Sequence, residues 1–203
     1  MGVLDDVRVI AVVRYRRAAD LAPTVDVLDA SGILVEITLD TPGAIDAIAA
    51  ATGRGLRVGA GTVIDGDGVR ASADAGARFV VSPGLVDDVV ETALALGLEP
   101  LPGIATATEL LRARALGAHA MKVFPAATLG GPAFIEALRS PFPDVGLVAV
   151  GGVGVGDIDS YLDAGADAVA LGRGLVGAEP PADDAELAAL AGRAAAAAAA
   201  ARR

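Results

Sequence analysis

Short apolar runs rich in β-branched residues alternate along the chain with longer, alanine-rich segments whose apolar positions recur at helical spacing. The short runs have the length of buried strands, and the long segments have the length of amphipathic helices. The pattern predicts strands at residues 7–14, 34–39, 56–63, 79–82, 99–102, 120–124, 147–150 and 168–171. It predicts helices at residues 18–30, 42–51, 67–75, 86–96, 108–116, 132–139, 157–163 and from 184 onward.

The order of these segments predicts the fold class. Fully apolar strands that alternate with helices are typical of a parallel sheet covered by helices on its outer face. We therefore predict an α/β fold in which residues 1–203 form a single compact (β/α)8 TIM barrel of eight strand–helix units. A doubly wound open sheet is the alternative, but no glycine-rich nucleotide-binding fingerprint follows the first strand.

The last predicted helix begins near residue 184 and continues into residues 194–201, which are all alanine. Alanine has the highest helix propensity, so this stretch extends the helix and is expected to fray near Arg202 and Arg203. We assign no function to it.

Composition excludes several classes of function. Hydrophobic residues make up 54% of the 203 residues, which is enough for a large core, and the formal net charge of −10 disfavours nucleic-acid binding. There is no cysteine and only one histidine, His119, so we predict neither a metal site nor a cofactor. The first six residues lack the order of a signal peptide, and no apolar stretch of about 20 residues would span a membrane. These features predict a cytoplasmic protein that binds a small molecule.

Lys122 is the only lysine, and the other 15 basic residues are all arginine. It lies within an apolar run, Met121 to Pro125, in a predicted strand. An arginine stays protonated, whereas an amine in an apolar environment loses its proton more easily and can form a Schiff base with a ketone. The alternative is a structural lysine whose stem is buried and whose amine reaches water.

Two strands carry polar side chains on the face predicted to line the barrel. Glu36 and Thr38 share one face of the second strand, and Lys122 and Phe124 share one face of the sixth. A buried carboxylate and a buried amine are costly unless they are paired or used in chemistry. Either the pair transfers protons during catalysis, or it is a structural ion pair that stabilises the barrel.

Glycines follow the seventh and eighth strands. Gly151 and Gly152 end the seventh strand, and Gly172 and Arg173 end the eighth. Barrels often bind phosphate with the backbone N–H groups at these two neighbouring strand ends. Ordinary tight turns are the alternative explanation.

Six motifs on consecutive strand ends resemble one family. They are VEITL at residues 35–39, GAGTV at 59–63, SPG at 82–84, PGIATATE at 102–109, KVFPA at 122–126 and VGGV at 150–153. With these motifs the chain resembles, from about residue 9 to residue 176, the class I aldolases of 2-keto-3-deoxy-6-phospho sugar acids. This family includes the phosphogluconate (KDPG), phosphogalactonate (KDPGal) and 4-hydroxy-2-oxoglutarate (KHG) aldolases.

The resemblance implies an aldehyde-lyase that releases pyruvate and glyceraldehyde 3-phosphate, and a homotrimer. Lys122 would form the imine, and Glu36 would move protons. The resemblance also implies a set of substrate-binding residues: Arg14 and Thr62 for the carboxylate, Pro83 and Phe124 as walls of the imine site, and Gly151, Gly152, Gly172 and Arg173 for the phosphate.

Two positions depart from the family pattern. Asp40 stands where KDPG aldolases commonly have an arginine, so a second anion-binding arginine is missing there. Arg173 stands where a small hydroxyl residue is common, and it either binds the phosphate or pairs with an acid such as Asp157. The functional alternatives are a KHG aldolase, a phosphate-binding isomerase or synthase that uses Lys122 only as a cation, and a non-catalytic sugar-phosphate-binding barrel.

The single lysine makes the Schiff-base hypothesis directly testable. We expect pyruvate and borohydride to attach a reduced three-carbon adduct to Lys122 and to inactivate the protein irreversibly. Mass spectrometry of the peptides locates the adduct, because only the N-terminal amine competes with Lys122. An adduct confined to the N-terminal amine would contradict the Schiff-base hypothesis.

Overall fold

A computed structural model of the chain describes residue 2, residues 6–17 and residues 19–202. The strands are β1 (Val9–Val13), β2 (Leu34–Thr38), β3 (Val58–Gly61), β4 (Phe79–Val81), β5 (Glu99–Leu101), β6 (Gly103–Ile104), β7 (Ala120–Val123), β8 (Gly146–Val150) and β9 (Ala168–Leu171). All the strand pairs are parallel, in the spatial order β5-β4-β3-β2-β1-β9-β8-β7-β6.

The two outer members of this order, β5 and β6, are consecutive in the chain and are separated only by Pro102. Proline has no backbone N–H, so the regular strand pairing is interrupted there. β5 pairs with β4, β6 pairs with β7, and the Lys122 N–H donates to the Pro102 carbonyl at 2.9 Å. Residues 99–104 therefore act as one strand that closes the sheet, and the predicted eight-stranded barrel is confirmed.

The helices occupy the connections between the strands. They are α1 (Ala22–Ala30), α2 (Ala44–Gly53), α3 (Gly66–Asp74), α4 (Asp87–Ala95), α5 (Ala107–Ala115), α6 (Pro132–Arg139), α7 (Ile158–Asp163), α8 (Arg173–Val176) and α9 (Asp184–Ala200). A short 3₁₀ turn, Val155–Asp157, leads into α7.

Most predicted elements are found with ends displaced by a few residues. The first helix begins at Ala22 rather than at residue 18, which lies outside the described residues. The helix α8 was not predicted, because four residues are too few to show a helical period. The final helix ends at Ala200, close to the predicted fraying, although residue 203 is outside the described part. Residues 1 and 3–5, on which the signal-peptide prediction rests, are also outside it.

Side chains alternate between two apolar regions across the sheet. Leu34 and Ala120 belong to a cluster inside the barrel, whereas Val35 and Met121 pack against the helices. This alternation places Glu36 and Lys122 on the inner face, as predicted. Phe79 fills the interior beside β3, where a Cβ atom on Gly59 would lie 2.3 Å from its ring.

In the part of the chain that the structure describes, we find no helix with the length and apolar character needed to cross a membrane.

Candidate active site

Glu36 and Lys122 are buried polar residues on the inner face of the barrel, with exposed fractions of 2% and 7%. The Glu36 carboxylate occupies the space beside Gly61, because a Cβ atom there would lie 1.9 Å from Oε1. Glycine at position 61 is therefore required for the carboxylate to adopt this position. No ion pair within 4.0 Å joins Glu36 to Lys122 among the described residues, so the alternative of a direct structural ion pair is not observed.

Burial changes the acidity of both groups. It lowers the pKa of Lys122, an effect that Glu36 opposes and Arg14 reinforces through their charges. It raises the pKa of Glu36, while the positive charges of Lys122 and Arg14 act in the opposite direction. An amine that deprotonates more easily is a better nucleophile, and a carboxyl that holds its proton to higher pH can both accept and donate protons.

Phe124 connects Lys122 to the glycines after β8. The Lys122 Nζ atom lies 4.8 Å from the centroid of the Phe124 ring, within the range of a cation–π contact. The same ring packs against Gly151, because a Cβ atom on that glycine would lie only 2.9 Å from Phe124 Cδ2. The ring therefore contacts both the nucleophile and the predicted phosphate-binding loop.

Arg14 and Thr62 meet at the ends of β1 and β3. The Arg14 Nη2 group donates to Thr62 Oγ1 at 2.6 Å. Thr62 has a φ of 58°, which is rare for a β-branched residue and is typical of functional sites that hold a strained backbone. The structure thus brings together the two residues predicted to bind the carboxylate.

The glycine turns lie side by side, because β8 and β9 are paired. Gly151 and Gly152 have φ values of 94° and 77°, which residues with a side chain rarely adopt. In the described part of the chain, the backbone N–H groups of Gly151, Gly152 and Gly172 have no hydrogen-bond acceptor. These donors suit an anion such as phosphate.

Arg173 begins α8 directly after Gly172, and its side chain is exposed. Among the described residues it has no ion-pair partner within 4.0 Å. Asp157, the acid considered as a partner, instead accepts from the Gly154 N–H at 2.9 Å. The structure therefore leaves the Arg173 guanidinium at the mouth of the barrel without this competing ion pair.

Pro83 lies in the loop after β4, and its carbonyl packs closely on β6. A Cβ atom on Gly103 would lie only 2.4 Å from the Pro83 oxygen. This contact holds the loop against the strand that pairs with β7, where Lys122 lies. The ring is exposed at the same end of the barrel as the other predicted site residues.

Sequence reasoning missed a buried pair of hydroxyl groups behind Arg14. Thr38 and Thr41 share a hydrogen bond at 3.1 Å, and Thr41 Oγ1 accepts from the Tyr15 N–H at 3.2 Å. Thr38 Oγ1 lies 3.5 Å from Arg14 Nε. The signal that was available is the inward position of Thr38, two residues after Glu36. Its partners are not visible in a local pattern, because Thr41 lies in the turn after β2 and Arg14 follows β1.

A cavity of about 1120 Å³ lies at the opposite end of the barrel. It is lined by the residues that precede β1, β2 and β9 and by the end of α9. Its charged residues include ion pairs such as Arg139 with Asp167, and none of the predicted site residues reaches it. The predicted site residues lie at the other end, where the strands finish, and this is the end at which barrels of this kind carry their active sites.

Comparisons with known proteins identify the family. The family model described as "KDPG and KHG aldolase" matches residues 2–189. The chain is 39% identical over 160 residues to the 2-dehydro-3-deoxy-phosphogluconate aldolase of Pseudomonas aeruginosa, covering 77% of this chain and 73% of that protein. It is 39% identical over 153 residues to the 2-dehydro-3-deoxy-6-phosphogalactonate aldolase of Escherichia coli, covering 73% and 74%.

The fold of the chain is also similar to that of a solved structure. The chain superposes on the KDPG aldolase of Legionella pneumophila, captured with pyruvate as a covalent carbinolamine, with a TM-score of 0.83. The two are 29% identical, and the match covers 95% of each chain.

The charges of Glu36 and Arg14 act in opposite directions on the pKa of Lys122, so removing each charge should shift this pKa in opposite directions. Only the neutral amine attacks a ketone, so the rate of trapping with pyruvate and cyanoborohydride should rise as pH increases through the pKa of Lys122. Glu36→Gln removes a charge that raises this pKa, so the midpoint should move to lower pH. Arg14→Ala removes a charge that lowers it, so the midpoint should move to higher pH.

Mass spectrometry of adduct formation at saturating pyruvate, from about pH 6 to about pH 10, measures both midpoints. Glu91→Gln, on the exposed face of α4, is the matched control and should leave the midpoint unchanged. Midpoints that move in the same direction in both variants would contradict the coupling.

Proposed function

The chain belongs to the KDPG and KHG aldolase family, and we propose that it is a class I aldolase acting on a 2-keto-3-deoxy-6-phospho sugar acid. The products are pyruvate and glyceraldehyde 3-phosphate. The observation that carries this proposal is the buried Lys122, whose pKa is lowered by an apolar environment that also contains the buried carboxyl of Glu36.

Lys122 begins the reaction. Its neutral amine attacks the C2 ketone of the substrate to form a carbinolamine, and the hydroxyl of this carbinolamine takes a proton from the Glu36 carboxyl and leaves as water, which gives a protonated imine. The imine withdraws electrons from the C3–C4 bond. Burial among apolar residues favours each step that needs the neutral amine, because it penalises the ammonium form.

Glu36 moves the protons. As a carboxylate it takes the proton of the C4 hydroxyl while the C3–C4 bond breaks, which releases the aldehyde and leaves an enamine on Lys122. The enamine then gains a proton at C3, and hydrolysis of the imine releases pyruvate and restores the amine. The raised pKa of Glu36, which burial causes, suits this exchange, because a carboxyl that holds its proton more strongly than usual can return a proton as well as accept one.

The remaining residues hold the two ends of the substrate. Arg14 and Thr62, joined at 2.6 Å, would bind the carboxylate next to the reacting ketone. The free N–H groups of the turns after β8 and β9, together with the exposed Arg173, would bind the phosphate. Pro83 and Phe124 would form the walls between these ends.

A phosphorylated substrate is preferred in this proposal over 4-hydroxy-2-oxoglutarate, because the glycine turns offer donors that suit a phosphate. A non-catalytic sugar-phosphate-binding barrel would not need a buried amine with a lowered pKa. We further propose that residues 1–203 form one barrel domain, that the protein works in the cytoplasm and that it assembles as a homotrimer. The family resemblance supports the trimer.

Glu36→Gln tests the proposed reaction. The amide has nearly the shape of the carboxyl but cannot take a proton, so kcat should fall by about 10²–10⁴-fold while pyruvate is still trapped on Lys122. Pyruvate release is measured with both phosphorylated epimers and with 4-hydroxy-2-oxoglutarate, beside Glu91→Gln as the control. Normal turnover with a much lower Tm would indicate that Glu36 is structural instead.

Arg173→Ala tests the phosphate site. We expect a higher KM for the phosphorylated substrate and little change with 4-hydroxy-2-oxoglutarate, because the phosphate binds away from the reacting carbons. Steady-state kinetics on both substrates separate these effects, and Arg70→Ala, an exposed arginine of α3, is the matched control. Equal losses on both substrates would instead assign Arg173 a role in supporting the barrel.

A further inference from the structure

An acidic residue lies beside the arginine at the mouth of the barrel. Asp40 follows β2, and its Oδ1 atom lies 3.4 Å from Arg14 Nε. Both side chains are about half exposed, at 51% and 53%. An ion pair with this exposure contributes little to stability. We therefore look for the role of Asp40 in ligand binding by Arg14 rather than in stabilising the fold.

The guanidinium of Arg14 is approached from two directions by the protein. On its Nε side lie Asp40 and Thr38 Oγ1, at 3.4 Å and 3.5 Å. On its Nη2 side lies Thr62 Oγ1, at 2.6 Å. Arginine has five N–H donors, so the Nη1 group and the second hydrogen of Nη2 remain for a ligand. Asp40 therefore occupies the Nε edge of Arg14 and leaves the Nη1 end for a carboxylate.

The charge of Asp40 acts on any anion that Arg14 binds. A carboxylate at the Nη1 end is attracted by the guanidinium and is repelled by the neighbouring aspartate. The two contributions have opposite sign, and the repulsion acts over the longer distance because Asp40 lies on the Nε side of Arg14. It therefore reduces the attraction without cancelling it, and the pair attracts an anion less than an isolated arginine would.

We propose that Asp40 is a specificity-determining residue whose charge offsets that of Arg14 and weakens the attraction of this site for the substrate carboxylate. This inference rests on the proposed function, in which Arg14 binds that carboxylate. A weaker carboxylate site makes tight binding depend on the phosphate at the other end of the substrate. It also favours the departure of pyruvate, which keeps only the carboxylate once the C3–C4 bond is broken.

Lactate is a suitable probe, because it has the carboxylate of pyruvate but no ketone and so forms no imine. We expect Asp40→Asn to bind lactate about two- to fivefold more tightly, which is the range that exposed charge pairs contribute. Asparagine keeps the hydrogen-bond acceptor for Arg14 Nε and removes only the charge. The KM for pyruvate in aldol addition should fall by a similar factor, with kcat changed less than about twofold.

Isothermal titration calorimetry measures the lactate affinity directly. Asp26→Asn is the matched control, because Asp26 forms an ion pair with Arg54 at 2.7 Å, is 52% exposed and lies on α1 away from the site. It should leave lactate binding unchanged. The effect of Asp40→Asn should shrink at high salt, because Asp40 acts on the carboxylate by its charge and Asp40 and Arg14 are both exposed to solvent.

Weaker or unchanged lactate binding in Asp40→Asn would overturn the proposal, and so would a gain that is undiminished at high salt. The titration needs no turnover, so it is independent of whether the protein cleaves a sugar acid. Failure of the proposed function would appear separately, as the absence of a pyruvate adduct on Lys122 in the unmodified protein.

Discussion

The site depends on one constraint, the burial of an amine and a carboxyl inside an apolar barrel. Water would stabilise the charged forms of Lys122 and Glu36, and the barrel interior removes most of it. The result is a lysine that loses its proton more easily and a glutamate that loses it less easily than usual. Perturbed pKa values of this kind cluster at functional sites, which supports the catalytic roles proposed for the two residues.

Glycines provide the space that these buried groups need. Gly61 leaves room for the Glu36 carboxylate, and Gly151 leaves room for the Phe124 ring that contacts Lys122. Gly59 admits the Phe79 ring, which fills the interior beside β3. A Cβ atom at any of these glycines would collide with the neighbouring side chain. The positions of Glu36, Phe124 and Phe79 therefore depend on glycines that have no side chain of their own.

The two proposed anion sites at the mouth of the barrel are built from different groups. In one, Arg14 donates to Thr62, and Asp40 lies beside Arg14 and offsets its charge. In the other, the turns after β8 and β9 offer backbone N–H groups, and Arg173 is exposed beside them. The proposed substrate, with a carboxylate and a phosphate at its two ends, fits this division. Phe124 contacts Lys122 and packs on Gly151, so it links the proposed nucleophile to the second of these sites.

The sequence by itself determined the eight strand–helix units and the inward faces of Glu36 and Lys122, because both follow from local periodicity. Apolar runs that alternate with helices require a covered parallel sheet, and a two-residue period decides which face a strand residue occupies. The unique lysine was likewise evident without coordinates.

Only the tertiary structure decided which distant residues meet. The short helix α8 and the division of one barrel strand at Pro102 lie below the length at which a periodic pattern is visible. The left-handed backbone of Thr62 and the pairing of Arg14 with Asp40 depend on strands that are neighbours in space but not in sequence. Local patterns carry no information about such contacts, since they arise only when the barrel closes and brings the ends of its strands to one rim.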